Sequence, residues 1–138
     1  MRIYRIESRV DGWLGLYSHE GLEEVMKDLD ICDEDCEAGG LHPRPSRDPA
    51  LRHNTVGYDL DEWYFGFASM AQLRLWLFDP RFYLGLAKLD KVLRVYEMSD
   101  CDARVGDRQA LFLRERSRAV EECELTAIPP DIEEPVKF

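Results

Sequence analysis

The chain has 138 residues, of which 45 % are hydrophobic and 11 % aromatic, so it is long enough to bury a core. Its 18 basic and 28 acidic residues give a net charge of -10. This sign argues against direct contact with DNA or RNA, because phosphate contacts need a cationic surface. No apolar run reaches the length of a membrane span, and residues 1–5 lack the apolar stretch of a secretory signal. We therefore expect a cytoplasmic protein without membrane contact.

The predicted elements begin with a strand over residues 1–8 and a helix over 21–30, whose apolar residues repeat at helical spacing. Glycines and prolines interrupt all periodicity from about 32 to 62, which predicts a long irregular loop and a candidate binding segment. A short aromatic strand follows over 63–67. Within it, Gly66 predicts a bulge or the close approach of another backbone.

The second half of the chain predicts two helices and two or three strands. Ser69 and Gln72 have the spacing of a capping box, and Asp79 followed by Pro80 starts a second helix. The remaining predicted elements are a strand over 91–98, a loop over 99–107, a strand over 109–113, a last strand or short helix over 119–128, and a flexible acidic tail over 129–138. This order predicts one α+β domain over residues 1–128, with two or three helices on a mostly antiparallel sheet.

Negative charge is concentrated in two segments. Nine acids lie against one lysine from Glu20 to Glu37, and six acids lie against one lysine from Glu121 to Phe138. The commoner explanation is a solvated face that keeps the protein soluble. The alternative is a surface that docks onto a basic groove of another protein, where carboxylates replace phosphates. The candidate partner-binding residues are Glu20, Glu23, Glu24, Asp28, Asp30, Asp33, Glu34 and Asp35.

The four cysteines indicate free thiols rather than a disulfide framework, since no secretory signal accompanies them. Cys32 and Cys36 have a spacing that fits no familiar zinc finger, so we expect no metal site. The standard sequence motifs of hydrolases, kinases and dinucleotide-binding enzymes are missing. The sequence therefore gives no support to ordinary hydrolase or kinase chemistry.

Several blocks of the chain resemble small proteins encoded by tailed bacteriophages. These blocks are Met1–Glu7, Gly15–Tyr17, Phe65–Leu73, Val95–Glu97 and Gln109–Phe112. The resemblance implies expression in a bacterial cytoplasm during infection. Short acidic accessory proteins often inhibit host enzymes or defence systems there, and anti-CRISPR proteins are among them. The resemblance implies no established activity.

The same blocks are similar, more distantly, to the Arg–Ser–Glu arrangement of ADP-ribosyltransferases. In that family an arginine holds the NAD phosphates, a serine supports the nicotinamide ribose, and a glutamate stabilises an oxocarbenium-like transition state. The resemblance places Arg5, Ser69 and Gln109 at these positions. Gln109 departs from the pattern, because an amide supplies no negative charge to a developing cation. Ser69 has a second explanation as a helix cap. We therefore expect weak or absent catalysis if the fold is shared.

Two functional expectations follow, and a third is kept beside them. The first is a phage-type accessory protein that inhibits or redirects a host protein with a basic surface and needs no cofactor. The second is an ADP-ribosyltransferase-like domain that binds NAD or a related nucleotide. The third is a structural protein of the virion with contacts between its own copies.

Overall fold

The computed structural model describes residues 1–10, 15–16, 21–29 and 63–128. Six strands lie within these ranges: β1 (Arg2–Ser8), β2 (Trp63–Gly66), β3 (Lys91–Glu97), β4 (Ala103–Val105), β5 (Ala110–Leu113) and β6 (Arg118–Glu124). Three helices accompany them: α1 (Leu22–Asp28), α2 (Met70–Trp76) and α3 (Pro80–Lys88). The predicted loop over 32–62 and the predicted tail over 129–138 lie outside the described residues.

The strands form two antiparallel sheets of three strands each. The first sheet has the order β1-β3-β6, and the second has the order β2-β5-β4. A bridge between Tyr4 and Phe67 joins them, with each backbone N–H donating to the other residue's carbonyl at 2.7 Å. The predicted α+β class with antiparallel pairing is therefore confirmed, and β1 is the strand that connects the two sheets.

Both faces of the first sheet are covered. On one face, Ile6 and Leu93 belong to the larger core, which the three helices complete. On the other face, Ile3 and Tyr96 pack against Phe112 of the second sheet. Because β1 is buried on both sides, its polar side chains must find partners inside the protein.

The predicted helix starts are confirmed by their hydrogen bonds. The Ser69 hydroxyl accepts from the backbone N–H of Gln72 at 3.1 Å, and the Asp79 carboxylate accepts from the backbone N–H of Arg81 at 2.9 Å. The Gln72 side chain also reaches back, but its oxygen accepts from the N–H of Ala68 rather than from that of Ser69. Both helices therefore begin where the sequence predicts, on satisfied backbone donors.

One predicted element needs correction, and the structure resolves one alternative that the sequence left open. The segment predicted as a loop over 99–107 contains a 3-10 turn over Asp100–Asp102 and the strand β4. The last element is the strand β6 followed by a 3-10 turn over Leu125–Ala127, so the strand alternative was right for most of its length. β4 has three residues and depends on pairing with β5, which no local periodicity reveals.

No helix within the described ranges is long and apolar enough to cross a membrane. Cys101 and Cys123 are free thiols, as predicted, whereas Cys32 and Cys36 lie outside the described residues.

Gly66 marks the point where β2 approaches β1. A Cβ atom at this position would lie 2.6 Å from Cγ2 of Ile3 and 2.8 Å from the carbonyl oxygen of Tyr4. The predicted close approach of another backbone is therefore confirmed. Glycine at this position lets the two sheets meet.

We predict that Gly66→Ala lowers the free energy of unfolding by about 1–3 kcal/mol, because the added methyl group forces β1 and β2 apart. Urea denaturation followed by tryptophan fluorescence measures this change. As a control, Ala119→Ser on the exposed edge strand β6 should stay within about 0.5 kcal/mol of the wild type. Equal stabilities of Gly66→Ala and the wild type would contradict the close approach.

Candidate functional site

A buried carboxylate, that of Glu7, lies on the face of β1 that turns toward the second sheet. The side chain of Glu7 has no exposed surface. Its Oε1 accepts a hydrogen bond from Nε of Arg5 at 2.8 Å, and its Oε2 accepts from Nη1 of Arg94 and from the Tyr96 hydroxyl, each at 2.7 Å. Nη2 of Arg114 lies 3.7 Å from Oε2. These five residues are called the Glu7 network below.

The register of β1 and β3 explains why a carboxylate is needed there. Arg5 and Arg94 lie directly opposite each other on the two strands. Like charges in this position repel, and partial burial strengthens the repulsion. Glu7 is two residues after Arg5, so its side chain lies on the same face of β1 and reaches both guanidinium groups. One carboxylate thus bridges two cations that the sheet holds together, and Glu122 also pairs with Arg94.

Arg5 connects the network to the second sheet. Its Nη1 donates to the carbonyl oxygen of Phe65 at 2.8 Å, and its guanidinium lies 4.8 Å from the ring centroid of Tyr64. Gly15 leaves room for this side chain, since a Cβ atom there would lie 2.8 Å from Nη2. Burial lowers the pKa of Arg5, and the ion pair with Glu7 opposes that shift. Arg5 therefore acts as a buried link between β1 and β2.

Tyr96 joins the carboxylate to the surface. Burial raises the pKa of its hydroxyl, and the hydrogen bond that it donates to Glu7 raises that pKa further. The same oxygen accepts from Nη2 of Arg114 at 3.0 Å. Arg114 is about one-third exposed, whereas Tyr96 is buried. The network thus runs from a fully buried carboxylate to a partly exposed guanidinium.

Ser69 and Gln109, the other candidate catalytic residues, lie apart from this network in the contacts described. Ser69 caps α2, which is the structural role expected for it. Gln109 is buried in the turn between β4 and β5. Its backbone carbonyl oxygen accepts a hydrogen bond from the backbone N–H of Gly106. Gln72 links the two regions, because its side-chain nitrogen donates to the carbonyl oxygen of Gly106 at 2.7 Å.

Arg5 is the candidate that was expected to hold phosphates. Its Nε already donates to a carboxylate at 2.8 Å, and its side chain is 5 % exposed. A pyrophosphate bound there would compete with Glu7 for the same guanidinium. Alternation along the strand predicted over 91–98 puts Arg94 and Tyr96 on one face, but it does not reveal that they meet Arg5 and Glu7. That contact depends on the pairing of β1 with β3, which are far apart in the sequence.

The acidic candidates fall into two groups. Glu24 and Asp28 are exposed on α1, one helical turn apart, and neither forms an ion pair within the described ranges. The side chain of Glu23 and the candidates Glu20, Asp30, Asp33, Glu34 and Asp35 lie outside the described residues.

Acids in the rest of the described chain mostly have arginine partners. Glu124 pairs with Arg9 at 2.8 Å, and Glu97 pairs with Arg118 at 2.9 Å. The described ranges contain fourteen basic and fourteen acidic side chains, so their formal charge is zero. The net charge of -10 therefore belongs to the segments outside them.

The family described as Bacteriophage T4 Y00F protein matches residues 1–126 of the chain. The chain belongs to this family. The resemblance to bacteriophage proteins is therefore confirmed over nearly the whole length. No curated protein and no solved structure matches the chain significantly. None of the comparisons connects this Y00F family member with ADP-ribosyltransferases.

We predict that Glu7→Gln destabilises this Y00F family member by about 3–5 kcal/mol, because it leaves the buried guanidinium of Arg5 without a counter-charge. Glu122→Gln is the matched control: Glu122 also pairs with Arg94, but it is half exposed, and the loss should stay below about 1 kcal/mol. Urea denaturation gives both values. Similar losses in the two variants would contradict a buried ion-pair network centred on Glu7.

We also predict that stability declines as the pH rises above about 10, where an unperturbed tyrosine ionises. The pKa of Tyr96 is raised in the folded protein, so the unfolded chain loses this proton first and is favoured at alkaline pH. Tyr96→Phe should be less stable at neutral pH but show a shallower alkaline decline. Thermal melts over this pH range test both points, and an unchanged slope would contradict the assignment.

Proposed function

We propose that this phage protein binds a host protein through the acidic surface that begins on α1, and that it inhibits or redirects that protein. The partner carries a basic surface, as nucleic-acid enzymes and nucleic-acid-dependent defence proteins do. Binding takes place in the cytoplasm of the bacterial host and requires no cofactor. The observation that supports this most is the absence of ion-pair partners for Glu24 and Asp28 within the described chain.

The contrast between α1 and the rest of the fold supports the proposal. Elsewhere arginines from other parts of the fold pair with acids on β6: Arg2 lies 3.6 Å from Glu121, and Arg9 lies 2.8 Å from Glu124. On α1, Lys27 accompanies three acids, and the sequence continues into an acidic segment. An uncompensated field of one sign attracts a partner of the opposite sign and raises the rate of association.

The proposed mechanism is competition for a groove that otherwise holds nucleic acid. Glu24 and Asp28 are four residues apart, so they lie on one helix face about 6 Å apart along the axis. Carboxylates fixed on a helix can occupy cationic sites that otherwise contact phosphates. The helix itself is anchored by Leu22, Val25 and Met26 in the larger core, which keeps these acids in place.

We predict that Glu24→Lys together with Asp28→Lys weakens partner binding about tenfold or more and leaves folding intact, because both side chains are exposed. Affinity capture from a bacterial lysate at low and high salt identifies the partner by mass. Its affinity for the wild type and the variant is then measured with purified proteins, with and without competing DNA. Binding should also weaken as salt increases.

Glu115→Lys is the matched control for a single charge reversal at Glu24. Glu115 is also exposed and has no ion pair in the described part of the chain, but it lies between β5 and β6. Its reversal should change affinity much less than Glu24→Lys does. Equal effects of the two reversals, or affinity that is indifferent to salt, would contradict docking through α1.

Thermal melting in the presence of millimolar NAD tests the ADP-ribosyltransferase-like alternative. A ligand that binds the folded chain raises its melting temperature. The host-binding proposal expects no rise with NAD that depends on Arg5. A rise that Arg5→Lys abolishes would favour the alternative and identify Arg5 as the phosphate-holding residue.

A further inference from the structure

The Glu7 network contains more positive than negative charge. Arg5, Arg94 and Arg114 surround the carboxylate of Glu7, and the nearest additional anion is Glu122, whose Oε1 accepts from Nε of Arg94 at 2.9 Å. Glu122 is shared with Arg9, whose Nη1 lies 3.8 Å from it, so the surplus positive charge lies within the Glu7 network itself. A partly buried cluster with surplus positive charge attracts an external anion.

Arg114 is the cation of this cluster with spare donors. Within the described chain, its hydrogen bonds go to the hydroxyl of Tyr96, from Nε at 3.3 Å and from Nη2 at 3.0 Å. Its nearest carboxylate oxygen, on Glu7, is 3.7 Å away, which is an ion pair without a hydrogen bond. A guanidinium group has five N–H donors, so several remain available to a ligand.

The surroundings of Arg114 restrict how it can meet a ligand. Its guanidinium lies 5.4 Å from the ring centroid of Tyr64 and 5.5 Å from that of Tyr96. Tyr64 also has the guanidinium of Arg5 at 4.8 Å. Two cations near one aromatic ring, together with the bonds to Tyr96, hold Arg114 in a limited set of orientations. A pre-positioned guanidinium loses less entropy when it binds an anion.

We propose that Arg114 is the primary residue of an anion-binding site that takes the phosphate group of a small molecule, with the rest of the Glu7 network supplying the positive field. A guanidinium fork donates two parallel hydrogen bonds to phosphate oxygens. The neighbouring Tyr64 ring is half buried and gives a flat surface beside the site. This site differs from the one expected on Arg5, because the Arg5 guanidinium is committed to Glu7 and to Phe65.

The test is a titration of the ¹⁵N-labelled protein with inorganic phosphate at constant ionic strength, followed by the Nε–H resonance of Arg114. The proposal expects a saturable shift in the wild type and a loss of affinity of about tenfold or more in Arg114→Gln. Arg116→Gln is the matched control, because Arg116 is exposed on the same turn and pairs with Asp102 at 3.7 Å. It should keep the wild-type affinity.

Two further comparisons show whether the guanidinium fork is needed and whether the ligand is a nucleotide or phosphate alone. Arg114→Lys retains the charge without the fork, so it should bind phosphate more weakly than the wild type even when it folds fully. Tighter binding of AMP than of inorganic phosphate would identify a nucleotide, and equal affinities would identify the phosphate group alone. A wild type without a saturable shift, an equal response to acetate, or unchanged binding by Arg114→Gln would overturn the proposal.

Discussion

The structure depends on one buried interaction, in which a single glutamate bridges two facing arginines. Strand pairing places Arg5 directly opposite Arg94, which is unfavourable by itself. The carboxylate of Glu7 contacts both, and Tyr96 completes its hydrogen bonds. Because Arg5 also donates to a carbonyl of β2, the same interaction connects the two sheets. The geometry of β1 thus follows from charge compensation as well as from apolar burial.

Charge is used in two different ways in this molecule. Inside the fold and along β6, arginines and carboxylates compensate one another, and the described ranges are formally neutral. At α1 the carboxylates of Glu24 and Asp28 are exposed, and the acidic sequence continues beyond the helix. A neutral, charge-compensated body that carries an acidic segment suits a phage protein whose proposed role is to engage a basic host surface.

Local sequence signals predicted much of the fold. Ser69 and Asp79 identified two helix starts, because a helix cap depends on neighbours within three residues. The alternation of side chains between two faces identified β1 and β3. Gly66 indicated that another backbone comes close, but the sequence did not show that this backbone is β1. The short strand β4 was missed because its hydrogen bonds come from β5. Local pattern alone cannot supply an element that exists through tertiary pairing.

The candidate site was less accessible to sequence reasoning than the fold. The sequence pointed to Arg5 but not to its partner Glu7. Whether Arg5 lines a cleft or forms a buried ion pair depends on which elements cover β1, and local sequence does not specify them. The buried Lys91 is a similar case: its Nζ donates to the carbonyl oxygen of Gly15 across the fold, a contact that no spacing predicts. Arg114 joins the network through Tyr96, although four strands separate it from β1 in the chain.

The most direct test of the central claim is a double-mutant cycle between Arg5 and Glu7. The single variants Arg5→Gln and Glu7→Gln and the double variant are compared by urea denaturation. Charge compensation predicts that the double variant loses clearly less stability than the sum of the single losses, with a coupling of about 1–3 kcal/mol. Additive losses would contradict it, and Glu7 would then be an independent buried side chain rather than the group on which the facing arginines depend.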